Sequence, residues 1–205
     1  MATLTLTPGA DIATFGPEKD FVTGILANLT IIDAIDFGDG AADDVLRLTT
    51  AGQVDFRSGA NASGMIGLER LDLADGENTV FLTAALVARS YFGAASAGFF
   101  TVRGGLGNDT VNASAASGGT NRLQFVLGGG GDDTFTGTSG DDVLRANADE
   151  LHATDRLDAG AGTNDLLTLD TAEDRTLYFD LLPLSFQALG GPRVVVKLFT
   201  IPGQV

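Results

Sequence analysis

The sequence predicts an all-β protein with little helix, and three observations support this prediction. The chain of 205 residues contains 28 glycines, and its acidic residues are 22 aspartates against only 5 glutamates. Aspartate is a poor helix former that favours turns and caps. The third observation is a recurring Gly-x-Asp tripeptide followed by β-branched or apolar residues. Together they indicate short strands joined by tight turns and argue against a helical bundle.

The overall composition excludes several other classes of protein. With 44% hydrophobic residues the chain can bury a core, so it is not a disordered acidic tail. The net charge of −15 argues against binding to nucleic acid and against membrane insertion or binding to anionic lipid. The absence of cysteine excludes disulfides and Cys-ligated zinc. The longest apolar stretches, such as 80–88, are too short to span a bilayer, and no conventional signal peptide is visible.

Short apolar segments bounded by glycine and aspartate predict the strands. They lie at 45–49, 68–73, 79–82, 99–102, 123–127, 166–169 and 194–199. Two short helices are also expected. Thr83 can cap a helix over 84–91, and the segment 146–153 has the composition of a second helix.

A longer repeat is superimposed on the short one. Six positions between Leu29 and Gly40 match positions between Leu151 and Gly162 at a constant offset of 122 residues. We therefore interpret 1–205 as one elongated array, in which 1–136 is a first module and 137–205 begins a second, incomplete module.

The glycine-rich turns suggest a metal site. In GGLGNDTVN (104–112) the glycines permit positive φ and leave carbonyl oxygens uncovered, and Asp109 adds a carboxylate where the turn ends. Two such turns, stacked, form an oxygen-lined gap that suits a hard cation with six to eight oxygen ligands, above all Ca²⁺. Without a cation, the clustered negative charge would push the turns apart.

Three segments resemble the GGxGxDxUx nonapeptide of repeats-in-toxin (RTX, haemolysin-type calcium-binding) proteins: 104–112, GGGGDDTFT (128–136) and GTSGDDVLR (137–145). The resemblance implies a right-handed parallel β-solenoid (β-roll), a form of parallel β-helix. Its coils would be irregular here, because the motif aspartates and Asp165 are spaced by 24, 9 and 23 residues. It also implies calcium ligation by side chains and turn carbonyls at Gly104, Gly107, Asp109, Gly128, Gly131, Asp133, Gly137, Gly140 and Asp142, with Asp44 and Asp165 as further candidates in widened turns.

The longer module is similar to segments of large secreted bacterial RTX proteins, adhesins and S-layer proteins. This similarity implies a calcium-binding structural or adhesive segment of a secreted surface protein, extracellular and folding on calcium binding after type I secretion. The implied partners are calcium ions, a second copy of the chain, or a cell-surface or glycan ligand. The alternative is an accessory, non-catalytic repeat module of a secreted enzyme that acts on polysaccharide.

The sequence itself favours a non-enzymatic protein. HExxH and GxSxG motifs are absent, and the single histidine, His152, lies in a polar stretch. Adjacent aspartates such as Asp132 and Asp133 point different ways in a strand-turn, so a solenoid enzyme using an aspartate pair is the weakest hypothesis. The ten arginines are interpreted as partners for rows of aspartate, or as the lining of an anionic-ligand groove.

Overall fold

A computed structural model describes residues 1–30, 32–38, 43–58, 64–89, 98–116, 122–147, 150–152, 154–162, 165–171 and 195–200. These residues form seventeen strands, one α-helix and two 3₁₀ turns. The strands are β1 (Thr3–Thr5), β2 (Ile12–Thr14), β3 (Phe21–Gly24), β4 (Ala34–Asp36), β5 (Val45–Leu48), β6 (Gln53–Asp55), β7 (Met65–Ile66), β8 (Arg70–Asp72), β9 (Asn78–Phe81), β10 (Phe100–Arg103), β11 (Asp109–Asn112), β12 (Leu123–Val126), β13 (Thr134–Thr136), β14 (Val143–Asn147), β15 (Arg156–Asp158), β16 (Leu166–Thr171) and β17 (Val195–Thr200). The helix is α1 (Ala84–Arg89), and the 3₁₀ turns are Leu26–Asn28 and Phe56–Ser58.

The strands form three open sheets in which every pair is parallel. The nine-stranded sheet has the order β1-β3-β5-β8-β10-β12-β14-β16-β17. The five-stranded sheet has the order β15-β13-β11-β9-β6, and the three-stranded sheet has the order β2-β4-β7. The chain therefore moves from sheet to sheet before it returns to lie beside an earlier strand. The distance along the chain between paired residues varies, from 18 residues for Thr3 and Phe21 to 31 for Asn78 and Asp109.

One apolar core joins the sheets. In the nine-stranded sheet, Leu46, Leu71 and Val102 lie in register, and all three are fully buried. The five-stranded sheet contributes a matching row to the same cluster. Phe125 of β12 stacks on Phe135 of β13 with 5.5 Å between ring centroids, which brings the two sheets into contact. Alternating apolar residues thus bury one side of each sheet, as the sequence pattern predicts.

The topology corrects the prediction of a right-handed parallel β-solenoid of the β-roll kind. In the predicted β-roll, each coil would consist of two nonapeptides, with 18 residues and two strands. The observed strands instead form three open sheets of nine, five and three strands. The extra length between paired strands forms β2, β4, β7 and α1, none of which belongs to a nonapeptide. Sheets in which every pair is parallel are common in α/β proteins. Among the described residues, however, the helical part consists of one α-helix, α1, with six residues.

The predictions for individual elements had mixed outcomes. All seven predicted strands are confirmed, with ends shifted by one or two residues. The helix expected over 84–91 is confirmed as α1, and the Leu86 N–H donates to Thr83 Oγ1 at 3.4 Å as a cap; residues 90–91 lie outside the described residues. The helix expected over 146–153 is wrong at its start, because Ala146 and Asn147 belong to β14. Pairing of β14 with two neighbouring strands outweighs the local composition.

The offset of 122 residues relates turns of the same geometry. Gly38 has φ 87° and its N–H donates to Asp36 Oδ1 at 3.0 Å. Gly160 has φ 84° and its N–H donates to Asp158 Oδ1, also at 3.0 Å. The module boundaries at 136 and 137 remain a prediction.

Glycines allow the turns of successive strands to stack backbone on backbone. Gly76, Gly107 and Gly131 all have positive φ, at 114°, 112° and 110°. A Cβ on Gly131 would lie 2.3 Å from the Gly107 carbonyl oxygen, and a Cβ on Gly107 would lie 2.8 Å from that of Gly76. Any side chain at these positions would therefore separate the turns and strain the backbone.

We expect Gly131→Ala to lower the free energy of unfolding by about 2 kcal/mol or more, since strain from positive φ adds to the backbone clash. The matched control is Gly16→Ala, because a Cβ there meets no atom within 4 Å. Urea unfolding of both variants measures the difference. Equal midpoints would show that the stacking of turns does not limit stability.

Candidate metal centre: columns of buried carboxylates

An acidic or amide side chain stands at or just before the start of most strands. Because the strands are in register, these side chains line up from strand to strand, and we call each line a carboxylate column. The column of the five-stranded sheet contains Asn78, Asp109, Asp133 and Asp155, and that of the three-stranded sheet contains Asp11 and Asp33. The column of the nine-stranded sheet has two parts, Asp20, Asp44 and Glu69 on one side and Asp142 and Asp165 on the other, with the apolar Phe100 and Leu123 at the register positions between them. Each of these side chains is exposed by 8% or less.

One oxygen of most column carboxylates accepts a hydrogen bond from the backbone of the neighbouring strand, whereas Asp11 accepts from Thr7 of its own turn. The Asp109 N–H donates to Asp133 Oδ1 at 2.9 Å, and the Asp133 N–H donates to Asp155 Oδ1 at 2.8 Å. In the nine-stranded sheet, the Asp142 N–H donates to Asp165 Oδ1 at 2.9 Å in the same way. The carboxylates therefore extend the hydrogen-bond ladder into the turns.

The second oxygen can bind the turn that precedes the same aspartate. Asp109 Oδ2 accepts from the Gly105 N–H at 2.9 Å, and Asp142 Oδ2 accepts from the Thr138 N–H at 2.6 Å. A Cβ on Gly104 or on Gly137 would lie 2.6 Å from the same Oδ2 atom of its turn. The first glycine of these two motifs is thus required because the carboxylate folds back against it.

The other glycines predicted as calcium ligands also have defined roles in the turns. Gly107 and Gly131 adopt the positive φ described above. A Cβ on Gly128 would lie 1.8 Å from the Gly105 carbonyl oxygen, so these two turns are in direct backbone contact. The Gly140 N–H donates to Thr138 Oγ1 at 2.9 Å within its own turn.

The structure divides the predicted aspartates between two columns. Asp109 and Asp133 are neighbours in the five-stranded sheet, and Asp142 and Asp165 are neighbours in the nine-stranded sheet. Asp44 lies further along the second column. Sequence reasoning did not identify Asp11, Asp20, Asp33, Glu69 and Asp155 as members of the same arrangement. The available signal was an acidic residue shortly before a strand, accompanied at Asp11 by the tripeptide Gly9–Asp11.

The oxygen atoms available at these turns are of the chemical type that binds calcium. They are carboxylate and carbonyl oxygens, which hard cations prefer, and an oxygen that accepts one N–H retains a second lone pair. Within the described ranges, however, no three acidic or histidine side chains converge closely enough to hold a metal ion. A calcium ion at these turns would therefore take one or two carboxylates, with turn carbonyls such as those of Gly104–Gly107 supplying the remaining ligands.

Burial makes the charged form of these carboxylates unfavourable. Desolvation raises the pKa of Asp133 and of Asp142 to about 7, and neighbouring column carboxylates add to the effect. Desolvation also raises the pKa of Asp44 to about 6 and that of Glu69 to about 8. The pKa of Asp109 is raised by the same cause. Among the described residues, none of these five forms an ion pair with lysine, arginine or histidine.

Three adjacent members of one column have a carboxylate oxygen without a partner. Asp20 Oδ2, Asp44 Oδ2 and Glu69 Oε1 are buried and make no hydrogen bond. Their other oxygens accept hydrogen bonds from backbone N–H groups. The Asp44 N–H donates to Glu69 Oε2 at 2.8 Å, and the Asp20 N–H donates to Asp44 Oδ1 at 2.6 Å. An unpaired buried oxygen is unfavourable, so this column needs positive charge or protons.

Comparison with known proteins identifies no family. No family model and no solved structure matches the chain. A stretch of 40 residues is 50% identical to the mutual gliding-motility protein MglA of Myxococcus xanthus (strain DK1622), which is 20% of this chain and 20% of that protein. The chain thus spans about a fifth of the length of this relative, and the RTX resemblance stays a prediction. No helix among the described residues has the length and apolar character needed to cross a bilayer.

We expect the metal-free protein to lose stability as pH rises from about 4 to about 7. The folded-state pKa of Asp133, about 7, lies above that of an unfolded aspartate, about 3.9. Between these values the folded state holds more protons than the unfolded state, so its stabilisation is present at low pH and is lost as pH rises. Urea unfolding in excess chelator across this range measures the loss.

Asp133→Asn should flatten this pH dependence, because asparagine keeps an oxygen for the Asp109 N–H and cannot ionise. The control is Asp158→Asn, an exposed aspartate at the end of β15. If the slopes for Asp133→Asn and the parent chain were the same, titration of the buried column would not be the cause.

Proposed function

We propose that the protein is a calcium-binding structural and adhesive segment of a secreted bacterial surface protein, with no catalytic activity of its own. One observation carries this proposal. The columns contain carboxylates at positions where an uncharged amide makes the same hydrogen bond. Asn78 occupies such a position, and its Oδ1 accepts the Gly52 N–H at 3.3 Å.

The choice of carboxylate over amide calls for a positively charged partner. The hydrogen bonds alone do not require the charge, and burial penalises it. Asn78 also donates its Nδ2 to Asp109 Oδ1 at 2.7 Å, so the amide provides a neutral end to the column. A cation shared between turns would offset the penalty at Asp109 and Asp133, and the oxygen donors suit calcium.

The proposed calcium dependence connects stability with location. Calcium that binds only the folded chain adds its binding free energy to folding. Extracellular calcium sites typically have Kd values of about 10⁻⁴ to 10⁻³ M, far above the range of cytosolic sensors. Such a segment would stay loosely folded in the low calcium of the cytoplasm and become compact after export.

The local geometry of the aspartate pairs supports a non-catalytic role. Asp133 is buried in its column, whereas the adjacent Asp132 is exposed and accepts a hydrogen bond from Thr154 Oγ1. The two carboxyl groups therefore do not face one substrate position. His152 donates its Nδ1–H to the Gly131 carbonyl oxygen at 2.6 Å, and this hydrogen bond stabilises the turn.

We expect about 10 mM calcium to raise the Tm by about 5 °C or more relative to excess chelator, through preferential binding to the folded chain. Circular dichroism across a thermal scan measures this shift, with magnesium as the ionic control. Asp133→Asn should lose at least about half of the shift, whereas Asp158→Asn should keep it. Identical melting curves with calcium and with chelator would reject the proposed function.

A further inference from the structure

The outer side of the nine-stranded sheet differs in charge from the rest of the chain. On β1 to β16, the described positions that alternate with core residues include four arginines and two aspartates. The arginines are Arg47, Arg70, Arg103 and Arg145, and the aspartates are Asp72 and Asp170. Asp72 is only 7% exposed, and it is held by Arg47 Nη2 at 3.1 Å and by Arg70 Nε at 2.9 Å. A chain with a net charge of −15 thus has one sheet face that is positively charged.

Most of these cations lie on a single line across the strands, which we call the basic row. In register order the line runs Arg47, Asp72, Arg103, Val126, Arg145, Thr168 and Lys197. A basic residue therefore occupies every second strand. Because neighbouring strands lie about 4.8 Å apart, successive cations of the row are spaced by roughly 10 Å.

The three arginines of the row are accessible. Arg103 and Arg145 are exposed, and the Arg47 side chain is 51% exposed while it lies 4.8 Å from the centroid of the Phe21 ring. Arginine offers a planar fork of donors that binds a carboxylate through two parallel hydrogen bonds. The row is thus a line of carboxylate-binding groups at regular intervals.

We propose that the basic row binds a linear polysaccharide that carries carboxylates at wide, regular intervals. A regular straight line matches an extended repeating polymer better than a compact ligand. Duplex nucleic acid presents one charge per about 1.7 Å, so cations spaced this far apart would leave most phosphates facing an acidic protein. Repulsion from the rest of the chain is screened beyond about 8 Å at physiological salt, so it does not prevent contacts at the row itself.

Uncharged polar groups fit the same ligand. Between the arginines lies the half-buried Gln124, whose Oε1 accepts a hydrogen bond from the Oγ1 of the buried Thr101 at 3.3 Å. Gln124 can exchange this bond for one with a sugar hydroxyl. This proposal identifies the partner of the adhesive role proposed above, and it rests on that role but not on calcium, since the row shares no residue with the carboxylate columns.

The test is isothermal titration calorimetry of the full chain with a hyaluronan octasaccharide, in which every second sugar carries a carboxylate. The titration is run at low and at physiological salt. Each condition is measured once in excess chelator and once in calcium. Binding should weaken as salt rises. Arg103→Gln should weaken it about fivefold, in line with the loss of one exposed ion pair, and Arg103→Lys should recover part of the loss. The matched control Arg156→Gln, an exposed arginine of the five-stranded sheet, should bind like the parent chain.

Several results would overturn the proposal. They are absence of binding at low salt, equal binding of a carboxyl-reduced octasaccharide, equal affinity of Arg103→Gln and the parent chain, or tighter binding of single-stranded DNA. A dimer in light scattering that Arg103→Gln disrupts would show that a second copy occupies the face instead. Thermal scans of the same samples with calcium separate the two proposals, because a lost calcium shift with retained glycan binding rejects only calcium binding.

Discussion

The fold depends on one repeated interaction, the hydrogen bond between a backbone N–H at the start of a strand and a buried carboxylate of the neighbouring strand. A parallel sheet ends in turns, and the first N–H groups there lie beyond the regular ladder. An unsatisfied buried donor would be unfavourable by about 1 to 3 kcal/mol. Asp133, Asp142 and Asp155 supply the missing acceptors for the N–H groups of Asp109, Leu123 and Asp133, respectively. Once these bonds fix the register, the glycine turns stack and the apolar side chains meet in one core.

The same interaction creates an electrostatic problem, because the acceptor carries charge into a desolvated position. The chain shows two ways to compensate a buried carboxylate. At Asp109, the amide of Asn78 donates to the column, and at Asp72, two arginines form ion pairs. Arginines are concentrated on the outer face of the nine-stranded sheet instead of beside the columns. Negative and positive charge are therefore segregated. Protons or bound cations must compensate the carboxylate columns, and the outer face is available to an external anion.

How much the sequence predicted depended on whether the signal was local. The strands and α1 were predictable because apolar segments, bounding glycines and the Thr83 cap all lie within a few residues. The position of Asp133 and Asp142 at the end of a turn followed from their fixed place after glycine, but their burial did not. The number of sheets was not predictable, because the nonapeptides cover few residues and the other connections vary in length. Members such as Glu69 lack the glycine motif. The basic row joins residues as distant in sequence as Arg47 and Arg145, and only the strand register aligns them.

The preference for aspartate over glutamate follows from the reach of the side chain. At Asp142, one carboxylate binds the Leu123 N–H of the neighbouring strand and the Thr138 N–H of its own turn, at 2.6 Å each. A short side chain holds both oxygens close to the backbone, where these two donors lie. Glu69, with its longer side chain, reaches the Asp44 N–H and leaves Oε1 buried without a partner, but Asp20 Oδ2 and Asp44 Oδ2 are left in the same state. A short side chain therefore makes the second bond only where its own turn presents an N–H, as at Asp109 and Asp142. Aspartate, which can make both bonds at such turns, outnumbers glutamate by 22 to 5 in this chain.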